Sequence, residues 1–125
     1  MDWLVEIGLI ELAIGGLLGW AMVVREEKPE WLARIGLVAP RRIRQVHLDY
    51  VMMGLISIGV GLAVPSLPVA IGVALAFGTF VNPLLFVPLA FDPEVEKRLW
   101  FRLLSVVSFF AMSGSLVAAV IVGPG

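Results

Sequence analysis

The chain alternates between long apolar runs and short polar stretches. Four runs, at about residues 3–24, 43–64, 67–91 and 99–122, match the roughly 20 residues an α-helix needs to cross a bilayer. The second and third are separated only by Pro65-Ser66-Leu67-Pro68. Two prolines three apart remove two backbone donors, so this uncharged turn reads as a tight helical hairpin and not as one continuous helix. The stretch from Arg25 to Arg44 interleaves Trp31, Leu32, Ile35, Leu37 and Val38 with charges, which predicts a short interfacial helix. Asp92-Pro93-Glu94 predicts an N-cap at Asp92 with Pro93 in the first turn of the fourth helix. The pattern predicts an all-α membrane protein, a single domain over residues 1–125 built as a bundle of four transmembrane helices.

Composition agrees. Hydrophobic residues make up 60% of the chain and charged residues 15%, against about 25% charged in a typical soluble domain. The mean hydropathy is +1.01. A small soluble domain keeps too much surface in water to hide that much apolar area. No Lys or Arg precedes Arg25, so the first run lacks the positive n-region of a signal peptide and is read as a retained helix.

The charges give a topology. All 9 Lys and Arg residues lie in or beside two stretches, Arg25 to Arg44 and Lys97 to Arg102. The positive-inside rule then predicts both stretches on the cytoplasmic side of the membrane and both termini on the other side. The net charge of −1 offers no basic stripe for nucleic acid. With no cysteine, disulfides, thiolate metal sites and cysteine nucleophiles are excluded. P-loop, HExxH and GxSxG motifs are absent, and one histidine is too few for a protein-only metal site. Small residues at Gly15 and Gly19, Gly54 and Gly61, Ala74 and Gly78, and Ala111 and Ser115 predict close helix packing and oligomers.

Polar groups inside a membrane span are costly, so each is a candidate for function. Glu11 shares a face with Gly8 and Gly15 and is expected to point into the bundle, as a proton-transfer group, a cation site or a structural hydrogen bond. His47 is the only histidine, and Gly54 and Gly61 follow at seven-residue steps on its face. That face has room for a flat cofactor such as haem, with the imidazole as axial ligand and Arg41, Arg42 or Arg44 near the propionates. Equally, His47 serves an interfacial hydrogen bond and the glycines only pack helices. Asp49 lies about 200° round the helix from His47 and is read as bonding a neighbouring helix or protomer, or an arginine at the interface. Asn82 precedes Pro83, which frees the carbonyl of Thr79. Asn82 and Thr79 are expected to satisfy that break, or Asn82 to line a pocket.

The stretch His47-Leu48-Asp49-Tyr50-Val51-Met52-Met53-Gly54 resembles the second-helix motif of the small membrane isomerases, the hydroxylaminobenzene mutases and styrene-oxide isomerases. Pro65-Ser66-Leu67 is similar to their Pro-Ser-Leu turn, Gly78-Thr79-Phe80-Val81-Asn82 to a Gly-Thr-Trp-Ala-Asn stretch, and Gly8 with Gly15 to Gly19 to first-helix glycines. The resemblance implies a homotrimer of four-helix protomers in the inner membrane, binding haem b. His47 would be its axial ligand, with Gly54, Tyr50 and Arg44 its surroundings and Asn82 a candidate catalytic group; Glu11, which has no family counterpart, is the candidate to replace the catalytic groups this chain lacks. The resemblance implies rearrangement of a small aromatic epoxide or hydroxylamine by the iron as Lewis acid. Met53 stands where the family has asparagine, Gly78 and Phe86 where the epoxide isomerases have aspartate and tyrosine, and Ile7 where the mutases have histidine. Two other expectations compete: a small proton-coupled exporter using Glu11, and a haem-binding or interaction protein without catalysis.

Overall fold

The computed structural model describes residues 1–124. Helix α1 runs Asp2–Glu27, α2 Pro29–Arg34, α3 Arg41–Ala63, α4 Val69–Leu84, α5 Phe86–Phe91 and α6 Leu99–Val122. A 3₁₀ turn, Pro93–Lys97, precedes α6. The described residues are otherwise loop, with α1, α3, α4 plus α5, and α6 each long and apolar enough to cross a membrane. Their outer faces carry the exposed apolar side chains, Phe110 at 75% and Val120 at 81% among them, as an apolar solvent requires.

Consecutive long helices pack antiparallel, α1 on α3, α3 on α4, and α4 on α6, with α1 also touching α4. Helix α6 has no substantial backbone approach to α1 or α3, so the bundle is open along that side. The tightest seam is α1 on α3. A Cβ added at Gly8 would lie 2.7 Å from the Gly54 carbonyl oxygen, and one at Gly54 would lie 2.7 Å from that of Gly8. Gly15 faces Val51 and the His47 carbonyl, and Gly61 faces Val5. Without Cβ atoms the two backbones meet, which is how helices associate where lipid removes the hydrophobic drive between them. The packing set is therefore Gly8, Gly15, Gly54 and Gly61. Gly19 touches only the His47 ring, with its added Cβ 3.6 Å from Cε1. On the other side Gly78 admits Met112 of α6.

The third span is α4 followed by α5, divided only at Leu85, whose backbone stays helical with its N donating to the Val81 carbonyl oxygen at 3.1 Å, while Pro83 leaves the Thr79 carbonyl without its usual donor. Neither expected group closes the gap. The Asn82 side chain turns to α6 and the Thr79 hydroxyl to Ser57 and Ala76. The fourth helix begins at Leu99, where the apolar run begins, but Asp92 does not cap it: Asp92 Oδ1 accepts from Glu94 N at 3.1 Å in the separate 3₁₀ turn, and extended backbone at Arg98 divides that turn from α6. There the hydrogen bond from Lys97 holds the Glu94 carboxyl below its ordinary range, in a fully exposed pair.

The short helix expected between the first two spans is α2. Its end closes with Leu37 N donating to Leu32 O at 3.1 Å and Gly36 N donating to Ala33 O at 3.1 Å, around Gly36 at φ +88. Only glycine takes that left-handed position without strain. Val38 N and Ala39 N then both donate to Ala90 O, at 2.8 and 2.9 Å, tying this loop to α5.

The glycine seam makes a clear forecast. Gly54→Leu must separate α1 from α3, because backbone and not a flexible side chain blocks the way. It should cost about 1–3 kcal/mol of stability in detergent unfolding. Gly16→Leu, on the same helix as Gly8 but with nothing within 4 Å of an added Cβ, should leave the unfolding midpoint unmoved.

Candidate functional site

Three polar groups stand inside the apolar helices, and they do not form one site. The first is His47, half-buried on α3 against α1. Its Nδ1 lies 2.6 Å from the carbonyl oxygen of Gly15. A carbonyl only accepts, so Nδ1 carries the proton and Nε2 of the neutral ring keeps a lone pair. Nε2 has no hydrogen-bond partner among the described residues and is not buried. This is the arrangement by which proteins prepare an imidazole for a metal: one nitrogen is tethered, which sets ring and tautomer for the other.

The surroundings expected of a haem fit only in part. The face carrying Gly54 and Gly61 is filled by α1, so no flat group lies against it. Tyr50 is 2% exposed, and its hydroxyl donates to the Phe80 carbonyl oxygen at 2.9 Å. The ring also stacks edge-on with Phe80 at 5.8 Å, so Tyr50 is taken up by the α3–α4 contact. The open ground beside His47 lies outside the seam. Gly16 is exposed with empty space around it, Gly19 leaves the ring edge uncovered, and Arg44 is exposed one turn before His47. Among the described residues no three His, Cys, Asp or Glu side chains group to hold a metal ion.

The second group is Glu11, which points into the bundle as its glycine neighbours predicted. It is 0% exposed between α1, α3 and α4. Ser57 Oγ lies 3.0 Å from Glu11 Oε1 and 3.1 Å from Thr79 Oγ1. Each hydroxyl has one proton. Thr79 donates its own to the Ala76 carbonyl oxygen at 3.2 Å, and Ser57 donates to Glu11 or to Thr79, not to both. Glu11 Oε2 has no partner among the described residues, and the ion pairs found lie elsewhere, at Lys97–Glu94 and Arg98–Asp92. Ser57 is ten residues along α3 from His47, about 15 Å at the helical rise. Glu11 therefore does not serve His47.

The third group is on the far side of α4. Asn82 Oδ1 accepts from Ser108 Oγ at 2.7 Å, and Asn82 Nδ2 faces Met112 Sδ at 3.5 Å. Asn82 does line a pocket, a lateral cleft of 740 Å³ between α3, the α4–α5 junction and α6. Asp49 lines the same cleft and bonds no arginine among the described residues. His47 faces α1 and Asp49 faces this cleft, so the histidine and Asn82 are on opposite sides of α3.

Ser57, Thr79 and Ser108 were not legible as network members. A serine in an apolar helix commonly bonds its own preceding turn, as Ser105, Ser113 and Ser115 do here. Only the facing helix distinguishes the two cases.

No family model, curated protein or solved structure matches the chain.

Ser57→Ala should leave both Glu11 oxygens without a donor from α3 and lower stability by about 1 kcal/mol. In a Glu11→Leu background the same change should cost less. A double-mutant cycle by unfolding in detergent reads the difference, and a coupling of zero would remove the hydrogen bond from the account.

Proposed function

We propose that this protein is a membrane-embedded haem-binding isomerase or mutase, acting on a small aromatic epoxide or hydroxylamine, with His47 Nε2 as the axial ligand. The observation that carries the reading is the Nδ1 contact to the Gly15 carbonyl oxygen at 2.6 Å, which leaves Nε2 unpartnered and reachable. When bound, haem b supplies a Lewis-acidic iron, suited to an intramolecular rearrangement without net redox change.

This chain's residues supply the rest. The Gly15 carbonyl holds the ring and its tautomer. Arg44, one turn earlier on the exposed side, offers a guanidinium to a propionate. Gly19 provides side-chain-free ground beside the imidazole. The cofactor would therefore lie outside the α1–α3 seam, on a lipid-facing surface that a second protomer covers. That fits the trimer the family resemblance implies. Asn82 is on the other side of α3, so it contributes to catalysis only if a neighbouring protomer presents it. The sealed position of Glu11 gives it no place in this chemistry.

The exporter reading has one observation in its favour, the unpartnered Glu11 Oε2. Against it, Glu11 is closed in by three helices with no exposed surface for a cargo.

The absorption spectrum of detergent-purified protein decides the cofactor. Wild type expressed with haem supplied should show a Soret band, and His47→Ala should lose it. A wild type without the band sinks the reading. Turnover of styrene oxide or phenylhydroxylamine by the loaded protein then separates an isomerase from a haem protein without catalysis.

We further propose that the two charged stretches face the cytoplasm, with both termini outside, on the completeness of the charge bias, and that the membrane is an inner membrane, as the family resemblance implies. The chain has no native cysteine. Single cysteines at Ser66 and at Glu27 should accordingly react with an impermeant maleimide from opposite sides of intact cells, the first from outside. Labelling of both from the same side would refute the topology.

A further inference from the structure

We infer that the lateral cleft between α3 and α6 is a binding site for a lipophilic ammonium, an aromatic or aliphatic amine in its protonated form. Its volume, 740 Å³, lies within the roughly 300–1,000 Å³ of small-molecule sites. Its walls include the rings of Phe86, Phe101, Phe109 and Phe110, whose faces attract cations.

The polar atoms that line it are nearly all acceptors. Ser105 Oγ spends its proton on the Phe101 carbonyl oxygen at 2.8 Å, and Ser113 Oγ spends its own on that of Phe109 at 2.8 Å. Each oxygen keeps its lone pairs. Met53 and Met112 add soft sulfur acceptors. Asn82 Oδ1 is taken by Ser108, and one amide proton faces Met112. That leaves a single amide N–H as donor.

Asp49 supplies the charge. It is half-buried in the wall, eight residues into α3, with no ion-pair partner among the described residues. Arg42 stands seven residues earlier on the same face, but Gln45 Oε1 holds it at 2.7 Å and its guanidinium lies over the outer edge of the cleft, 5.9 Å from the Phe86 centroid. A carboxylate in an apolar wall is costly until a cation meets it. An apolar body with one N–H-bearing positive end matches the rings, the acceptors and the carboxylate together. The open side of the bundle gives such a molecule access from the bilayer.

This inference does not rest on the haem reading, because His47 faces α1 on the opposite side of α3. The test uses the full chain in phosphatidylcholine nanodiscs, with calorimetric titration against phenylbutylamine, phenylbutanol and phenylbutyrate and with empty nanodiscs as the partition baseline. The amine should bind above baseline, and the alcohol about ten-fold more weakly, the effect of losing roughly one charge-assisted contact. Asp49→Asn should bring the amine down to the alcohol and leave the alcohol unmoved. Asp49→Glu should retain preference for the amine. Equal binding of amine and alcohol by the wild type overturns the inference, as does an Asp49→Asn variant with undiminished amine affinity. Preference for phenylbutyrate also overturns it and hands the cleft to Arg42. Should Asp49→Asn fail to fold, the three probes on the wild type decide alone.

Discussion

Everything else in the molecule depends on how closely α1 lies on α3. Gly8 and Gly54 put carbonyl oxygens where Cβ atoms would otherwise stand, and Gly15 and Gly61 extend that seam along both helices. In lipid, apolar side chains gain nothing by touching each other in place of acyl chains, so close backbone contact and interhelical hydrogen bonds must supply the association. The seam brings the Gly15 carbonyl oxygen to His47 and carries Glu11 to the depth of Ser57. It also consumes the glycine face of α3, which is why nothing flat can lie there.

The polar groups within the helices follow one rule, since water is not there to satisfy them. Tyr50 donates to Phe80 across α3 and α4, Ser57 joins Glu11 to Thr79, and Ser108 reaches Asn82 across α4 and α6. Each successive pair of long helices is thus pinned by at least one polar contact inside an otherwise apolar seam. The exceptions carry the functional interest: His47 Nε2 and the Asp49 carboxylate are reachable and unpartnered, and Glu11 Oε2 is buried and unpartnered. A helix has two sides, and α3 uses both. His47 looks toward α1 and Asp49 toward the open cleft, so one span separates two environments that the linear motif His47 to Gly54 runs together.

Pro83 lies beside the second environment. It stands two residues before Leu85, where α4 passes into α5, and the cleft wall there is Leu85, Phe86 and Leu89. Because α6 packs on α4 and not back on α3, the space beside this junction stays open to the side.

The sequence by itself determined the number of spans, their limits to within a few residues, the short helix between the first two spans and the inward aim of Glu11. Those properties are local: hydropathy averaged over twenty residues, a proline pair, a carboxyl on a glycine face. The partnership of faces was decided only in the tertiary structure. Gly54 reads the same whether it cradles a cofactor or a helix, and Ser57 reads the same whether it bonds its own turn or Glu11. The expected late-helix cap at Asp92 failed for the same reason, because the chain could close a 3₁₀ turn there before the membrane helix began. In a bilayer the hydrophobic pattern that orients a soluble helix is lost, since every face is apolar enough to meet lipid. Which face meets protein then rests on steric fit and on paired polar atoms, and both require knowing what lies opposite.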